Sequence, residues 1–168
     1  MRERFEYVLK LKGWNKPADK TMSAGLSLRT PENGDRCALA ELMLESYRNT
    51  IDYEDETIIE AVDEVERYFA ASPNNRALLE YSMLLTDGIA LVSACLVMYW
   101  NRRNCPFIGY VISHPLWKRQ GLAIRVVGES LGRLAAHGHH EVRTIITKGN
   151  LPSEGLFLRL GFAKVGAE

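Results

Sequence analysis

The segment SHPLWKRQGLA, residues 113–123, combines basic side chains with a glycine in an arrangement suited to holding an anion. Lys118, Arg119 and Gln120 directly precede Gly121, between an apolar run and a helix-like pattern. The first N–H groups of a helix lack partners within the helix, and its dipole makes that end positive, so phosphate groups bind there. The segment therefore predicts a phosphate cradle. An ordinary strand-to-helix connection with solvated basic residues is the alternative.

A second motif lies further along the chain. Asn150 follows Gly121 by 29 residues and precedes a helix-like stretch that ends in LGF at residues 160–162. In this order the two motifs resemble the GNAT superfamily of acyl-CoA-dependent N-acyltransferases, whose pyrophosphate loop has the pattern Q/R-x-x-G-x-G/A. Lys118, Gly121 and Ala123 stand at the fixed positions of that loop.

The resemblance covers residues 27–162 and implies acetyl-CoA as the acyl donor. Ile112 and Ser113 would offer a strand edge to the pantetheine amides, and Asn150 would face the cofactor arm. A turn is the alternative role for Asn150, because KGNLP is rich in turn residues. The cofactor-binding residues that the resemblance implies are Ile112, Ser113, Lys118, Arg119, Gln120, Gly121, Leu122, Ala123, Asn150 and Phe157.

The chain departs from the family pattern at three positions. Lys118 stands where arginine or glutamine is usual, so planar bidentate contact with phosphate is lost. Phe157 stands where many members have a tyrosine that protonates the leaving thiolate, and Phe107 where some have a carboxylate base. A thiol with a pKa near ~8.5 can leave unprotonated, whereas an amine with a pKa near ~10.4 must lose a proton at neutral pH. The missing base is therefore the greater loss.

Glu80 is the first candidate for a replacement base. It stands within the apolar run ALLEYSMLL, which predicts a strand. An ionised carboxylate inside such a run is costly unless it has a partner or a role. The alternative is that its side chain points to solvent on the outer face of the sheet.

An acidic segment, IDYEDE at residues 51–56, follows the first predicted helix. In the resembling family this segment overhangs the acceptor site, and a negative field attracts a cationic amine. Asp52, Glu54 and Glu56 are therefore predicted to bind the acceptor. Carboxylates also stabilise the start of a helix, so they could serve the second helix instead, or serve both purposes.

The composition limits the class of protein. At 168 residues with 46% apolar content, one compact domain is expected. Basic and acidic residues number 21 each, which gives no support for a nucleic-acid or membrane partner. No apolar run reaches the ~20 residues of a membrane helix, and three cysteines show no metal or redox spacing. We therefore expect a cytoplasmic protein without a metal.

Alternation and helical spacing predict the elements that position these residues. Two strands are followed by two helices, three antiparallel strands, a helix, a strand, a helix and a short strand. The three antiparallel strands are ALLEYSMLL, IALVSACLVMYW and CPFIGYVIS. The expected fold class is α+β, a mixed and mostly antiparallel sheet flanked by helices. The resemblance adds that CPFIGYVIS and EVRTIIT splay apart to admit acyl-CoA.

The N-terminal run RFEYVLKLK alternates like a half-buried strand. We expect residues 1–26 to supply this strand and a linker to the same domain as residues 27–168. Many family members end with a hairpin, but residues 163–168 leave room for one strand. The N-terminal strand is predicted to join the sheet beside the C-terminal strand or across a homodimer interface. Lengthening the other edge, next to LSLRT, is the alternative.

Together these features predict an N-acetyltransferase that moves an acetyl group from acetyl-CoA to a primary amine on a small molecule or peptide. Attack would be direct within a ternary complex, because no motif places a nucleophilic cysteine or serine. A relative that binds acyl-CoA without catalysis is the second hypothesis, which Phe107 and Phe157 favour. An unrelated nucleotide-binding protein is the third, and it would bind ATP better than acetyl-CoA.

Overall fold

The computed structural model describes residues 2–18, 22–70 and 75–167. Its strands are β1 (Arg4–Lys10), β2 (Ser27–Arg29), β3 (Asn75–Ala77), β4 (Met83–Thr86), β5 (Leu91–Trp100), β6 (Cys105–Ser113), β7 (Glu141–Thr147) and β8 (Ala163–Ala167). Its helices are α1 (Arg36–Tyr47), α2 (Ile58–Phe69), α3 (Leu122–Ala136) and α4 (Leu151–Arg159). The sheet order is β2-β4-β5-β6-β7-β1-β8, and β3 pairs with β5. The pairs are antiparallel except for β6 with β7. The predicted fold class is confirmed.

Helices cover both faces of the sheet because its strands alternate apolar side chains to each side. Leu84, Ala94 and Leu96 pack with α1 and α2, whereas Leu85 and Val97 pack with α3 and α4. Burying each large apolar side chain contributes about 1.5–3 kcal/mol. Among the described residues, no helix is both long and apolar enough to cross a bilayer.

The predicted meander of three strands is present as β4, β5 and β6, but its first strand is shorter than ALLEYSMLL. Residues 79–81 form a 3-10 turn between β3 and β4. Buried Ser82 holds that turn, because its hydroxyl donates to Leu78 O (2.9 Å) and accepts from Val97 N (2.8 Å). The strand prediction at Glu80 is therefore wrong. An apolar run carries no periodicity that would reveal such a turn.

β1 lies inside the sheet, paired antiparallel with β7 on one side and with β8 on the other. Tyr7, Leu9 and Leu11 are buried against the α3 face. The prediction that this strand joins the sheet beside the C-terminal strand is confirmed, and the alternative place next to LSLRT is wrong. Residues 19–21 of the predicted linker lie outside the described residues.

β6 and β7 are paired only where Phe107 meets Arg143 and Ile108 meets Thr144. Immediately beyond, the register of β6 against β5 shifts between Ile108 and Tyr110, which leaves Gly109 as the extra residue of a β-bulge. A bulge bends its strand and increases the local twist. An added Cβ at Gly109 would lie 2.6 Å from Met98 Cε, the far end of a flexible side chain, so a larger residue would require Met98 to shift. The predicted splay of these strands is confirmed.

Candidate active site

A cavity of about 680 Å³ opens where β6 and β7 diverge. Its walls come from α1, α2, both diverging strands, the start of α4 and the acidic segment at residues 51–56. The carboxyl ends of the two parallel strands reach the same edge of the sheet, where ligands of parallel strand pairs commonly bind. The cavity therefore lies beside the unpaired part of β6, and its lining includes Arg4 near the start of the chain and Phe157 near its end.

The outer edge of β6 can pair with a bound amide chain. His114 N donates to Val92 O, and Ser93 Oγ donates to Ile112 O, so the backbone of Ile112 faces β5. Because hydrogen-bonded pairs alternate along an antiparallel ladder, Val111 and Ser113 direct their backbone groups away from β5. Ser113 N already donates to Ser46 Oγ.

Ile112 is thus unsuited to the edge role predicted from the sequence. Its backbone faces β5, and its side chain is fully buried among residues of α1 and α2. Val111, like Ser113, directs its backbone groups away from β5, because the two are neighbours of Ile112 in the alternation of backbone direction. Sequence spacing alone does not reveal which of two neighbouring residues faces a partner strand.

The predicted phosphate loop connects β6 to α3 at this same edge. Gly121 is the N-cap of α3 with φ +75°, a left-handed conformation that favours glycine. Lys118, Arg119 and Gln120 are exposed, Leu122 is buried and Ala123 is half-buried. The loop therefore presents the N-terminus of a 15-residue helix and two cations beside the splayed strands. None of these residues lines the cavity itself.

Asn150 lies between β7 and α4 and has two partners. Its Oδ1 accepts from Ser153 N (3.2 Å), which caps α4, and its Nδ2 donates to Asp52 Oδ2 (2.6 Å). The turn role is therefore present in the structure. The second bond ties the acidic segment to the end of β7 at the rim of the cavity.

Carboxylates dominate the wall of the cavity that the acidic segment and α2 form. Asp52, Glu54 and Glu56 of the acidic segment line the cavity, and so do Glu60 and Glu64 of α2. The capping box at Thr57 uses one of these, Glu60, whose pKa is lowered by hydrogen bonds from Thr57. The cationic lining residues are Arg4 and Arg67. With five carboxylates against two guanidinium groups, this wall favours a cationic ligand.

The lining residues that were not predicted from the sequence include Tyr47, Glu64 and Tyr110. Tyr110 OH donates to Glu64 Oε1, and Arg67 Nη2 lies 2.6 Å from Glu64 Oε2. Burial raises the pKa of Tyr110, and its bond to Glu64 raises it further. Burial, with nearby carboxylates, also raises the pKa of Tyr47.

A signal for Glu64 existed in the sequence. Glu60 and Glu64 are four residues apart on a helix, so they share one face, next to the acidic segment. Tyr110 had no such signal. Period-two alternation would place Ile108 and Tyr110 on one side, but the bulge at Gly109 reverses the alternation, and Tyr110 packs with the α1 and α2 core.

Glu80 does not line the cavity. It is exposed on the 3-10 turn at residues 79–81, where its carbonyl accepts from Arg133 of α3. Phe107 and Phe157 do line the cavity, and Phe157 is buried with its ring edge-on to Phe162. The two positions that the resemblance matches to proton-transfer groups thus carry phenylalanine side chains, which cannot transfer a proton. Among the described residues, no group of three His, Cys, Asp or Glu is arranged to hold a metal ion.

Comparison with solved structures finds the same fold. A GCN5-related N-acetyltransferase from Sphaerobacter thermophilus aligns with 99% of this chain and 49% of its own, at 18% identity and a TM-score of 0.72. A tandem GNAT protein from the clavulanic acid biosynthesis pathway aligns with 99% of this chain and 51% of its own, at 17% identity and a TM-score of 0.70. The chain thus spans about half the length of these two proteins.

A smaller protein also shares the fold. Diaminobutyrate acetyltransferase from Paenibacillus lautus, solved with its substrate and coenzyme A, aligns with 80% of this chain and 73% of its own. Its identity is 19% and its TM-score 0.59. No curated protein matches the chain significantly.

The family itself is established by a profile match. The family described as Acetyltransferase (GNAT) domain matches residues 26–163, most of the chain. The matched region contains the splayed strands, the loop before α3 and Asn150. The chain belongs to the GNAT acetyltransferase domain family.

Proposed function

We propose that the protein transfers an acetyl group from acetyl-CoA to a primary amine. One observation carries the proposal: the opening between β6 and β7 leads into a cavity whose acceptor wall is acidic. The opening suits a thioester donor on a narrow amide-bearing arm, and the acidic wall suits a cationic amine. Membership of the GNAT acetyltransferase family supports this assignment of the opening to the donor and of the acidic wall to the amine.

The donor would be held at three places. The edge formed by Val111 and Ser113 would pair with the pantetheine amides, because a strand edge offers regularly spaced donors and acceptors. The loop at residues 118–123 would hold the pyrophosphate through backbone N–H groups and the positive end of α3. Phe157 would pack against the apolar part of the arm.

Transfer would proceed by direct attack. The neutral amine nitrogen forms a bond to the thioester carbonyl carbon, and the tetrahedral intermediate then breaks its C–S bond. Of the three ammonium protons, one stays on the amide, one goes to the thiolate and one reaches solvent. Cys95 and Cys105 are buried and neither lines the cavity, so no cysteine there is placed for a covalent intermediate.

The acceptor would be a small amine or the amine of a peptide. The cavity volume of about 680 Å³ is within the range of small-molecule sites. The Paenibacillus lautus relative has a diamino acid as its substrate, which fits an amine acceptor of this kind. We propose that the protein works in the cytoplasm, where its free cysteines would stay reduced.

The second candidate is a protein that binds acyl-CoA without turning it over. Phe107 and Phe157 favour it, because neither position carries a proton-transfer group. The deciding experiment measures free CoA release from acetyl-CoA with a broad panel of amines. Amine-dependent release supports the transferase, and tight acetyl-CoA binding without release supports the binding protein. Tighter binding of ATP than of acetyl-CoA would contradict both.

A further inference from the structure

We propose that Glu64 is the general base of this acetyl transfer and that Tyr110 positions it. The proposal rests on the proposed function and identifies the group that replaces the carboxylate missing at Phe107. It comes from the contact that Tyr110 OH makes with Glu64 Oε1 inside the cavity. That contact joins the acceptor wall to the strand on which the donor would lie.

Position distinguishes Glu64 from the other carboxylates that line the cavity. Asp52 is bonded to Asn150, Glu56 accepts from a backbone N–H of its own segment, and Glu60 is used in the capping box of α2. Glu54 faces Arg2 at 3.8 Å. Glu64 is the lining carboxylate with a described contact to β6, and it touches the residue next to the bulge. Among the described contacts, Glu64 is therefore the lining carboxylate that is joined to β6.

The environment of Glu64 leaves its carboxylate in contact with water and beside two hydrogen-bond donors. Its side chain is 35% exposed, Arg67 lies 2.6 Å from Oε2, and Tyr110 donates to Oε1. Arg67 is itself 72% exposed, so an ammonium group can take its place at little cost. A partly exposed carboxylate can also pass a proton on to solvent, which a fully buried one cannot do readily.

Tyr110 is a positioning residue. Its phenol keeps its proton, because burial and the bond to Glu64 both raise the pKa of Tyr110. It can therefore only donate to Glu64, which fixes the direction of the carboxylate. The charged and titratable groups that face the pair are Tyr47 of α1, Glu60 and Arg67 of α2, Asp52, Glu54 and Glu56 of the acidic segment, and Arg4 of β1.

The proton balance is simple. Glu64 takes one proton from the acceptor ammonium and releases it to solvent. The lone pair so freed forms the C–N bond to the thioester carbonyl carbon. When the C–S bond breaks, the departing thiolate takes the second nitrogen proton, and the third remains on the amide. General bases of this kind contribute about 10²–10⁴-fold to a rate.

The test compares Glu64→Gln with wild type, using the best amine from the CoA-release panel. At pH 7 we expect kcat to fall about 100-fold or more, with acetyl-CoA binding and melting temperature retained. In wild type, kcat should be level from about pH 6 to 8, because a base inside the complex takes the proton from the bound ammonium, so turnover does not depend on the neutral fraction of the amine. In Glu64→Gln, kcat should rise about tenfold per pH unit, because turnover then depends on the neutral fraction of an amine with a pKa near ~10.4.

Three further variants separate catalysis from structure. Asp63→Asn changes an exposed carboxylate on the same helix outside the cavity and should leave kcat unchanged. Arg67→Gln removes the ion pair but keeps the carboxylate, so it should keep the level pH profile. Tyr110→Phe should lower kcat about tenfold and also keep the level profile. A fluorinated acceptor has a lower amine pKa, so more of it is neutral at pH 7. With this acceptor, the difference in kcat between wild type and Glu64→Gln should therefore be smaller.

Each outcome decides one question. If wild type is active and Glu64→Gln loses a constant factor at every pH, or loses nothing, Glu64 is not the base and the proposed function stands. If wild type releases no CoA with any amine while binding acetyl-CoA, the proposed function fails and the base assignment fails with it. A rising profile for Glu64→Gln beside a level one for Arg67→Gln supports the assignment.

Discussion

Single residues join parts of this chain that are far apart in sequence. Glu6 of β1 is buried and bonds to Arg143 of β7 and to Arg103 in the turn between β5 and β6. Burial by itself would raise the pKa of Glu6, but the two guanidinium groups outweigh it and hold that pKa below its ordinary value. The carboxylate therefore fixes β1 in its place.

A pH dependence of stability follows from Glu6. Because its folded-state pKa is lowered, its contribution is complete above the ordinary carboxyl range and is lost as pH falls through the lowered pKa. Glu6→Gln should cost about 2 kcal/mol at pH 7, since it weakens two charged hydrogen bonds. Melting temperatures of both proteins between pH 7 and 3 should converge at the acid end. A constant difference across that range would contradict this role.

Gly121 is the residue at which the proposed phosphate loop before α3 can be tested. Gly121→Glu should abolish acetyl-CoA binding, because its side chain and charge would occupy the phosphate position. The left-handed backbone adds a cost of about 1–2 kcal/mol to any such change. Calorimetric titration with acetyl-CoA measures the effect.

Gly138→Glu is the matched control for this strain. It lies just beyond the other end of α3, with φ +81° and nothing within 4 Å of an added Cβ. The Gly138→Glu protein should lose about as much free energy of unfolding as Gly121→Glu but should bind acetyl-CoA normally. Normal binding by a folded Gly121→Glu protein would show that the cradle lies elsewhere.

At the scale of elements, one strand completes the sheet. β1 pairs with β7 along its whole length and with β8 over part of it, so β8 reaches the sheet only through β1. The residues of β8 are exposed throughout. β1 thus covers the edge of β7, and an uncovered edge invites pairing with other chains.

Deleting residues 1–12 should therefore lower the melting temperature and cause aggregation, because it removes the buried Tyr7, Leu9 and Leu11 and frees the edge of β7. Deleting residues 163–168 is the control and should cost much less, since it removes an exposed edge strand. Thermal melting and size-exclusion chromatography measure both variants. A deletion of residues 1–12 that keeps its melting temperature and oligomeric state would count against this role.

At the scale of the molecule, the two faces of the sheet differ in what lies against them. The core beneath α3 and α4 carries β1 and most of the large buried side chains. The core beneath α1 and α2 adjoins the cavity and its carboxylates. A ligand that bridges β6, the loop before α3 and the start of α4 would tie these elements together.

Acetyl-CoA should accordingly stabilise the whole fold. At 100 times its dissociation constant, a ligand adds about 2.7 kcal/mol, which corresponds to a rise of about 5–10 °C in melting temperature for a chain of this size. Differential scanning fluorimetry with acetyl-CoA and, as a control, with ATP at equal concentration measures this. An unchanged melting temperature at millimolar acetyl-CoA would contradict the proposed donor site.

The sequence by itself determined the fold class, the family and, apart from β3 and the 3-10 turn that follows it, the order of elements, because alternation, helical spacing and the two motifs are local patterns. It also placed Asp52, Glu54, Glu56 and Asn150 at what proved to be the cavity. Only the tertiary structure decided that β1 lies between β7 and β8, that Val111 rather than Ile112 faces the opening, and that Tyr110 reaches Glu64. The physical reason is shared: strand pairing and the bulge at Gly109 set the direction of each backbone and side chain, and both depend on residues distant in sequence.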